Sequence, residues 1–312
     1  MSPYSLKDLR TALQHPRSFP REFNRLYHTR LRRWEYNRAA PNIFEKDWDN
    51  LLILDACRYD AFERVYGEFD LPGNLGWELS RGSSTMEFMK GNINGTDLTD
   101  TVYVTGTTML YRNSVLDSHV KHNLHDVVDV WEEAIEVDEW GIRPDRMANE
   151  ARAAAEQYPN KRLVVHFIQP HIPFIGEFGR ERFGDVEGSL WRKQRRGDLG
   201  ADDADLWRAY MENLRMVVPA VADLLGDLPG KSVVSADHGQ LIGERQRPLP
   251  FRDYGHPTGI YRDELVKVPW LEYDGGHRKR VEAGDSNTKY DEKNRDDLDD
   301  KAEEHLRNLG YL

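Results

Sequence analysis

Lys231-Ser-Val-Val-Ser-Ala-Asp237-His238-Gly239 is the stretch that decides how this chain reads. It follows a Leu228-Pro229-Gly230 turn and runs as a short β-branched segment, the pattern of a buried strand. The segment ends in an acid and an imidazole side by side, followed by a glycine. An Asp-His pair at the C-terminal end of a buried strand sits where open α/β sheets place their ligands. Carboxylate oxygen and imidazole nitrogen together suit zinc or a similar divalent ion. A plain strand-end turn with a surface histidine gives the same local pattern, so the decision falls to the rest of the chain.

Working outward, Leu51-Leu52-Ile53-Leu54 is a continuous apolar run ending in Asp55 and reads as a buried parallel strand. An acid at that tip suits a metal ligand and also a helix N-cap, and the two roles can coexist. Thr101–Thr105 and Arg162–Gln169 read as further strands, the latter running into Pro170-His171-Ile172-Pro173, where the prolines fix the backbone around the imidazole. Val266–Leu271 reads as another strand. Residues 125–157 read largely as helix, and so does Leu206–Leu225, with a kink expected at Pro219. Strand and helix in alternation predict a three-layer α/β/α sandwich with a largely parallel central sheet. The expected divisions are a basic N-terminal helical segment over 1–45, a catalytic domain over 46–274, a charged linker or loop over 275–300, and a C-terminal docking helix over 301–312. Residues 179–203, rich in Arg, Gly and Asp, read as an exposed insertion.

Composition narrows the function. Asp and Glu outnumber Lys and Arg by 54 to 43 in 312 residues, a net charge of −11, which argues against a nucleic-acid binder. One cysteine, Cys57, excludes an intrachain disulfide framework. No apolar run is long enough to span a bilayer, and the N-terminus lacks a signal-peptide core. A cytoplasmic location is therefore expected. Arg10, Arg17, Arg21, Arg25, Arg30, Arg32, Arg33 and Arg38 make the first forty residues locally basic, with Tyr27, Leu31 and Trp34 at helical spacing. Such a helix either packs on the acidic body or makes a peripheral contact with an anionic membrane; packing is the preferred reading. Oligomeric state is not readable.

Gly82-Ser83-Ser84-Thr85-Met86-Glu87-Phe88 places three hydroxyls before a helical run. Ser84 and Glu87 are spaced as a capping box. The same stretch also suits a hydroxyl nucleophile at a helix N-terminus, where N–H groups favour an anionic substrate. Together with Asp55, His171, Asp237, His238 and the loop residue His256, these residues fit metal-assisted transfer of an anionic group.

Four segments, in order, resemble the alkaline phosphatase superfamily, in its branch of sulfatases and phosphoethanolamine or phosphoglycerol transferases. Leu51–Asp60 resembles the opening sulfatase strand, Val165–Phe174 its Pro-His-x-Pro segment, Val233–Glu244 its Asp-His-Gly segment with Gln240 in place of a Glu, and Gly255–Pro269 its His-Gly…Val-Pro segment. Leu306–Leu312 is similar to a common sulfatase ending. Two departures count: Ala56 replaces the second acid of the sulfatase pair, and the Cys-x-Pro-Ser-Arg signature is absent. Gly82–Thr85 instead resembles the Gly-Thr-Ser-Thr of phosphoethanolamine transferases. The resemblance implies an alkaline phosphatase-like core and one divalent ion (zinc, manganese, calcium or magnesium) held by Asp55, Thr85, Asp237 and His238. It implies Thr85 as nucleophile, with Ser84 next, and His171 and His256 as groups acting on substrate or leaving group. Arg58 is expected to bind a substrate oxygen or to pair with Asp60. The function so implied is a hydrolase of phosphate or sulfate esters. The alternatives are a transferase acting on envelope lipid or glycan, and a binding module without activity.

Overall fold

An apolar run with no polar side needs cover on both faces, and the central strands of this chain have it. The computed structural model describes residues 19–29, 35–110, 120–131, 141–186 and 188–286. Its strands are β1 (Asn50–Leu54), β2 (Asn74–Leu79), β3 (Thr101–Thr105), β4 (Asp126–Asp129), β5 (Arg162–Phe167), β6 (Gly230–Ser235), β7 (Leu241–Arg245), β8 (Arg252–Gly255) and β9 (Lys267–Gly275). The described helices are α1 (Phe19–His28), α2 (Tyr59–Phe69), α3 (Thr85–Asn92), α4 (Pro144–Gln157), α5 (Glu177–Phe183), α6 (Leu190–Arg196), α7 (Asp203–Asp227) and α8 (Asp263–Val266). Seven strands form one sheet in the order β2-β9-β6-β1-β5-β3-β4; β7 and β8 form a separate antiparallel pair.

The strands β6, β1, β5, β3 and β4 run parallel, and β9 is antiparallel to both β6 and β2. Side chains alternate across the sheet. Leu52, Leu54, Val102, Val104, Val165, Phe167 and Val234 share one core with apolar residues of α2, α4 and α7. Leu51, Ile53, Tyr103, Val164 and Val233 share the other with Phe88 and Met89 of α3, and with Ile43, Phe44 and Trp48. Removing one such aliphatic side chain from water is worth roughly 2 kcal/mol. The result is the three-layer α/β/α sandwich expected from the sequence, with β9 as its antiparallel member.

Register builds the functional edge. Ile53 lies opposite His166 on β5 and opposite Ser235 on β6. Asp55 and Asp237, each two residues beyond these partners, therefore emerge together at the C-terminal edge. The β7–β8 hairpin then brings Gly255-His256 back toward the same edge.

Several expectations are corrected. Residues 126–129 form the edge strand β4, ahead of the helix at Pro144–Gln157; Val127 and Val128 pair with Tyr103 and Val104, and sheet pairing prevails over a helical reading there. Residues 179–203 are not a bare insertion, because Phe183, Leu190 and Trp191 are buried. Residues 276–286, expected as a charged linker or loop, form an exposed loop tied to the body: Arg278 pairs with Asp47 at 2.7 Å, and Gly284 N–H donates to Thr99 O at 3.2 Å. On α1, Arg21 pairs with buried Asp253, and Asn24 donates to Leu249 O at 3.0 Å. The 301–312 helix, and Leu31 and Trp34 of the basic segment, lie outside the described residues. Among the described residues no helix is long and apolar enough to cross a membrane.

Gly239 gives a direct test of the edge. A Cβ there would come 2.1 Å from Glu264 O and 3.0 Å from its carbonyl carbon, both backbone atoms that cannot turn away. Gly239→Ala should cost more than about 2 kcal/mol in urea denaturation, and it should reduce ion binding through the displaced His238. Wild-type stability with full ion binding would contradict this packing.

Candidate metal centre

The sheet edge gathers charged side chains away from water. Asp55, Thr85, His166, Asp237 and His238 are all fully buried, with 0% of their surface exposed. Oδ1 of Asp237 accepts the backbone N–H of Ala56 at 3.0 Å and of His238 at 2.8 Å. That leaves Oδ2 facing Nε2 of His238 at 3.3 Å and Nε2 of His166 at 3.9 Å. Ala56 is left-handed, with φ 60°, which turns its N–H onto Asp237. Nε2 of His238 also lies 3.6 Å from Oδ1 of Asp55 and 3.1 Å from Oγ1 of Thr85.

Imidazole orientation follows from simple hydrogen-bond logic. Nδ1 of His238 faces Gly239 O at 2.8 Å, and Nδ1 of His171 faces Ile172 O at 2.8 Å. A carbonyl only accepts, so Nδ1 carries the proton and the Nε2 lone pair faces the site. His256 is held alike, with Nδ1 3.2 Å from Oε1 of Gln240. Its ring centroid lies 4.5 Å from that of His238 and 5.0 Å from that of His171. Burial pushes the pKa values of His166 and His171 down to about 4. It also lowers His256, with His238, His171 and Arg195 adding to the shift. All three imidazoles are therefore neutral at neutral pH.

The residues present fit a divalent cation. Ligand atoms of Asp55, His166 and Asp237 lie within 4.8 Å of one another in a buried cluster. Nε2 of His166 and Oδ2 of Asp237 have no hydrogen-bond partner among the described residues, although both are buried. Two carboxylates and neutral imidazole nitrogens form a donor set suited to zinc and its neighbours. His238 adjoins this cluster, its Nε2 lying 3.3 Å from Asp237 Oδ2 and 3.6 Å from Asp55 Oδ1, and the Thr85 oxygen lies next to that nitrogen.

The three hydroxyls separate by role. Thr85 opens α3 and meets His238. Ser84 is the N-cap residue, but its side chain makes no capping bond and instead lies 3.2 Å from Thr258 Oγ1. Ser83, and not Ser84, engages Glu87: its N–H and Oγ both donate to Oε2, at 2.8 and 2.6 Å. Gly259 N–H donates to Ser83 Oγ at 2.9 Å, and Tyr261 Oη donates to Glu87 Oε1 at 3.1 Å. This network ties the hydroxyl loop to the His256 loop. Burial raises the pKa of Glu87, against the hydrogen bonds from Ser83.

Arg58 takes the second of its two expected roles. Its guanidinium bonds both oxygens of Asp60 at 2.8 Å, pairs with Glu244 and stacks over Trp207. Its N–H groups thus brace the 240–244 turn. Sequence reasoning passed over His166, whose Nδ1 lies 2.9 Å from Tyr103 Oη. The available signal was a single imidazole inside the apolar run Leu163-Val-Val-His166-Phe-Ile168.

No family model and no curated protein sequence matches the chain. Solved structures do resemble it. The integral membrane lipooligosaccharide phosphoethanolamine transferase EptA from Neisseria meningitidis aligns over 74% of this chain at 12% identity, TM-score 0.45. The chain spans only 47% of that protein's length. The C-terminal periplasmic domain of EcEptC from Escherichia coli aligns over 77% of this chain and 76% of its own, at 13% identity and TM-score 0.48. The phosphonate monoester hydrolase SpPMH from Silicibacter pomeroyi aligns over 83% of this chain and 72% of its own, at 12% identity and TM-score 0.43. The fold class itself stands on the sheet order and two-faced core described above.

Two sets of variants test the centre. Asp237→Ala and His238→Ala should each lower bound divalent ion by at least about tenfold in elemental analysis, whereas His171→Ala and His256→Ala should retain it. Full occupancy in Asp237→Ala would remove that residue from the ligand set. Ser83→Ala should cost about 2 kcal/mol in denaturation, because it strips a donor from a buried carboxylate. Ser84→Ala should cost less than half of that, and equal losses would contradict the separation of roles.

Proposed function

We propose that this chain is a metal-dependent hydrolase of phosphate or sulfate esters with Thr85 as its nucleophile. One observation carries the reading. Thr85 Oγ1 is buried at the first position of a helix, 3.1 Å from the Nε2 of His238 and among two buried carboxylates. A lone threonine hydroxyl is a weak nucleophile at neutral pH. A divalent ion held by Asp55, His166, Asp237 and His238, with the Thr85 oxygen, would lower the pKa of that hydroxyl and polarise the ester.

The chain's own residues supply the remainder. The N-terminal N–H groups of α3 favour the anionic ester beside Thr85. Thr85 Oγ forms a bond to phosphorus or sulfur as the bond to the leaving alcohol breaks. The Nε2 lone pairs of His171 and His256 take the proton released from Thr85 and return it to the leaving alcohol. Water then attacks the threonine ester, gives its proton to the same imidazoles, and Thr85 recovers it on release. Gln240 and Ile172 hold the two rings for this traffic.

Transfer to an acceptor alcohol shares the first half of this cycle. It is a second reading because an open groove of about 470 Å³ adjoins Thr85 and His256, with room for an acceptor. Both readings need a covalent intermediate. Thr85→Ala should reduce turnover of p-nitrophenyl esters at least about a thousandfold, and intact-mass analysis of quenched wild type should place a phosphoryl or sulfuryl adduct on Thr85. An adduct on Ser83 or Ser84 would reassign the nucleophile. Full turnover in Thr85→Ala, with no adduct on any of the three, would point to a water nucleophile.

A further inference from the structure

The groove beside Thr85 carries a charge opposite to that of the chain. The protein has a net charge of −11. Yet this groove is lined by Arg21 and Arg25 from α1, Lys90 from α3, and Arg192 and Arg195 from α6, against a single acid, Glu22. Two of these cations are neutralised: Arg21 pairs with Asp253 at 3.0 Å, and Arg25 with Glu22 at 2.9 Å. Among the described residues no carboxylate pairs with Lys90, Arg192 or Arg195.

A second observation is independent of charge. Trp191 lines the same groove and is only 4% exposed, and its indole N–H has no hydrogen-bond partner among the described residues. A buried donor without an acceptor is costly unless a ligand supplies one. Arg195 is half-buried, and its Nη1 donates to Tyr254 O at 3.0 Å, which fixes the guanidinium against the hairpin that carries His256. Burial, then the neighbouring cation Arg21 and, more weakly, Arg192 and Arg196, push its pKa down to about 10 against the pull of Asp253, the carboxylate already paired with Arg21. Ser84 and Thr258 add hydroxyls to the wall nearest Thr85.

We propose that this groove is a subsite for a second oxyanion, a phosphate or sulfate group borne by the substrate at a distance from the ester that reacts. Lys90, Arg192 and Arg195 would supply charge, and the Trp191 N–H a directed hydrogen bond. The proposal rests on the hydrolase reading for the word substrate, whereas oxyanion binding itself does not depend on it. The substrates favoured are then esters carrying at least two negative groups.

Sucrose octasulfate is a suitable soluble probe, with sucrose as its uncharged control. Titration calorimetry on the full chain at low salt should show binding of the sulfated sugar and none of sucrose. Arg192→Gln/Arg195→Gln should weaken it at least about tenfold, with bound metal and circular dichroism unchanged. Trp191→Phe, which keeps the ring and loses the donor, should weaken it about threefold. Metal-stripped protein should bind the probe as the wild type does. Phosphatidylglycerol vesicles that compete for the probe would identify a lipid headgroup as carrier; failure to compete would identify a soluble one, and either supports the subsite. Undiminished binding in Arg192→Gln/Arg195→Gln would overturn the proposal, as would binding lost on metal removal. Absence of turnover on every ester, with probe binding intact, would instead count against the hydrolase reading alone.

Discussion

Two carboxylates buried side by side are the constraint around which this protein is arranged. Asp55 and Asp237 are withdrawn from water, at the ends of neighbouring parallel strands. Burying an ionised carboxylate is expensive unless hydrogen bonds and opposite charge replace the lost hydration. Asp237 obtains part of that from the backbone N–H groups of Ala56 and His238. The neighbouring His166 and His171 are held neutral by burial and bring no compensating positive charge. A cation is what the cluster needs, and the donor atoms face the point where one would satisfy them. Ser80, whose Oγ donates to the backbone oxygen of Asp237, shows how far the surrounding loops are drawn into holding this edge.

The imidazoles show how a second requirement is met. An imidazole can bind a metal or receive a proton only with a free lone pair, and fixing Nδ1–H on an oxygen leaves that lone pair on Nε2. Backbone carbonyls do this for His238 and His171, and the side-chain oxygen of Gln240 does it for His256. Gln240 stands where the family resemblance would place a glutamate. A carboxylate at that position would favour the imidazolium form of His256, whereas a neutral amide orients the ring without adding a charge that raises its pKa.

Much of this was legible from residues, for reasons specific to each. The runs Leu51–Leu54 and Val233–Val234 read as buried strands, and Asp55, directly after the first, and Asp237, three residues beyond the second, fall at the sheet edge. His171 stood out between prolines. His166 did not, because a polar residue within an apolar strand declares no direction until register sets it opposite Ile53. The capping box was misplaced by one residue: Ser84 has the usual spacing to Glu87, but the turn at Gly82, where a Cβ would lie 2.4 Å from Phe88 N, presents Ser83 to Glu87 instead. Strand β4 was hidden because Asp-Val-Val-Asp has no period long enough to separate strand from helix. The helices over 177–196 were hidden by their charged composition, since Phe183, Leu190 and Trp191 do the anchoring.

The buried carboxylate cluster and the basic groove occupy different parts of the fold. The carboxylates and His166 belong to the sheet, whose strands are packed on both faces and tolerate little change. The groove cations belong to α1, α6 and the exposed side of α3, helices that lie over the sandwich and are tied to it in part by Arg21 to Asp253 and Arg195 to Tyr254 O. Substitutions on these outer helices can alter which anion is held without disturbing the buried carboxylates. Thr85 is where the two regions meet, because its side chain faces the sheet edge while the residues before and after it, Ser84 and Met86, line the groove. On the proposed function, a substrate spanning both would be aligned by two contacts of unequal kind: salt-sensitive attraction in the open groove and ligation in a site from which water is excluded. The first can raise the encounter rate and set selectivity, and only the second can act on the bond that breaks.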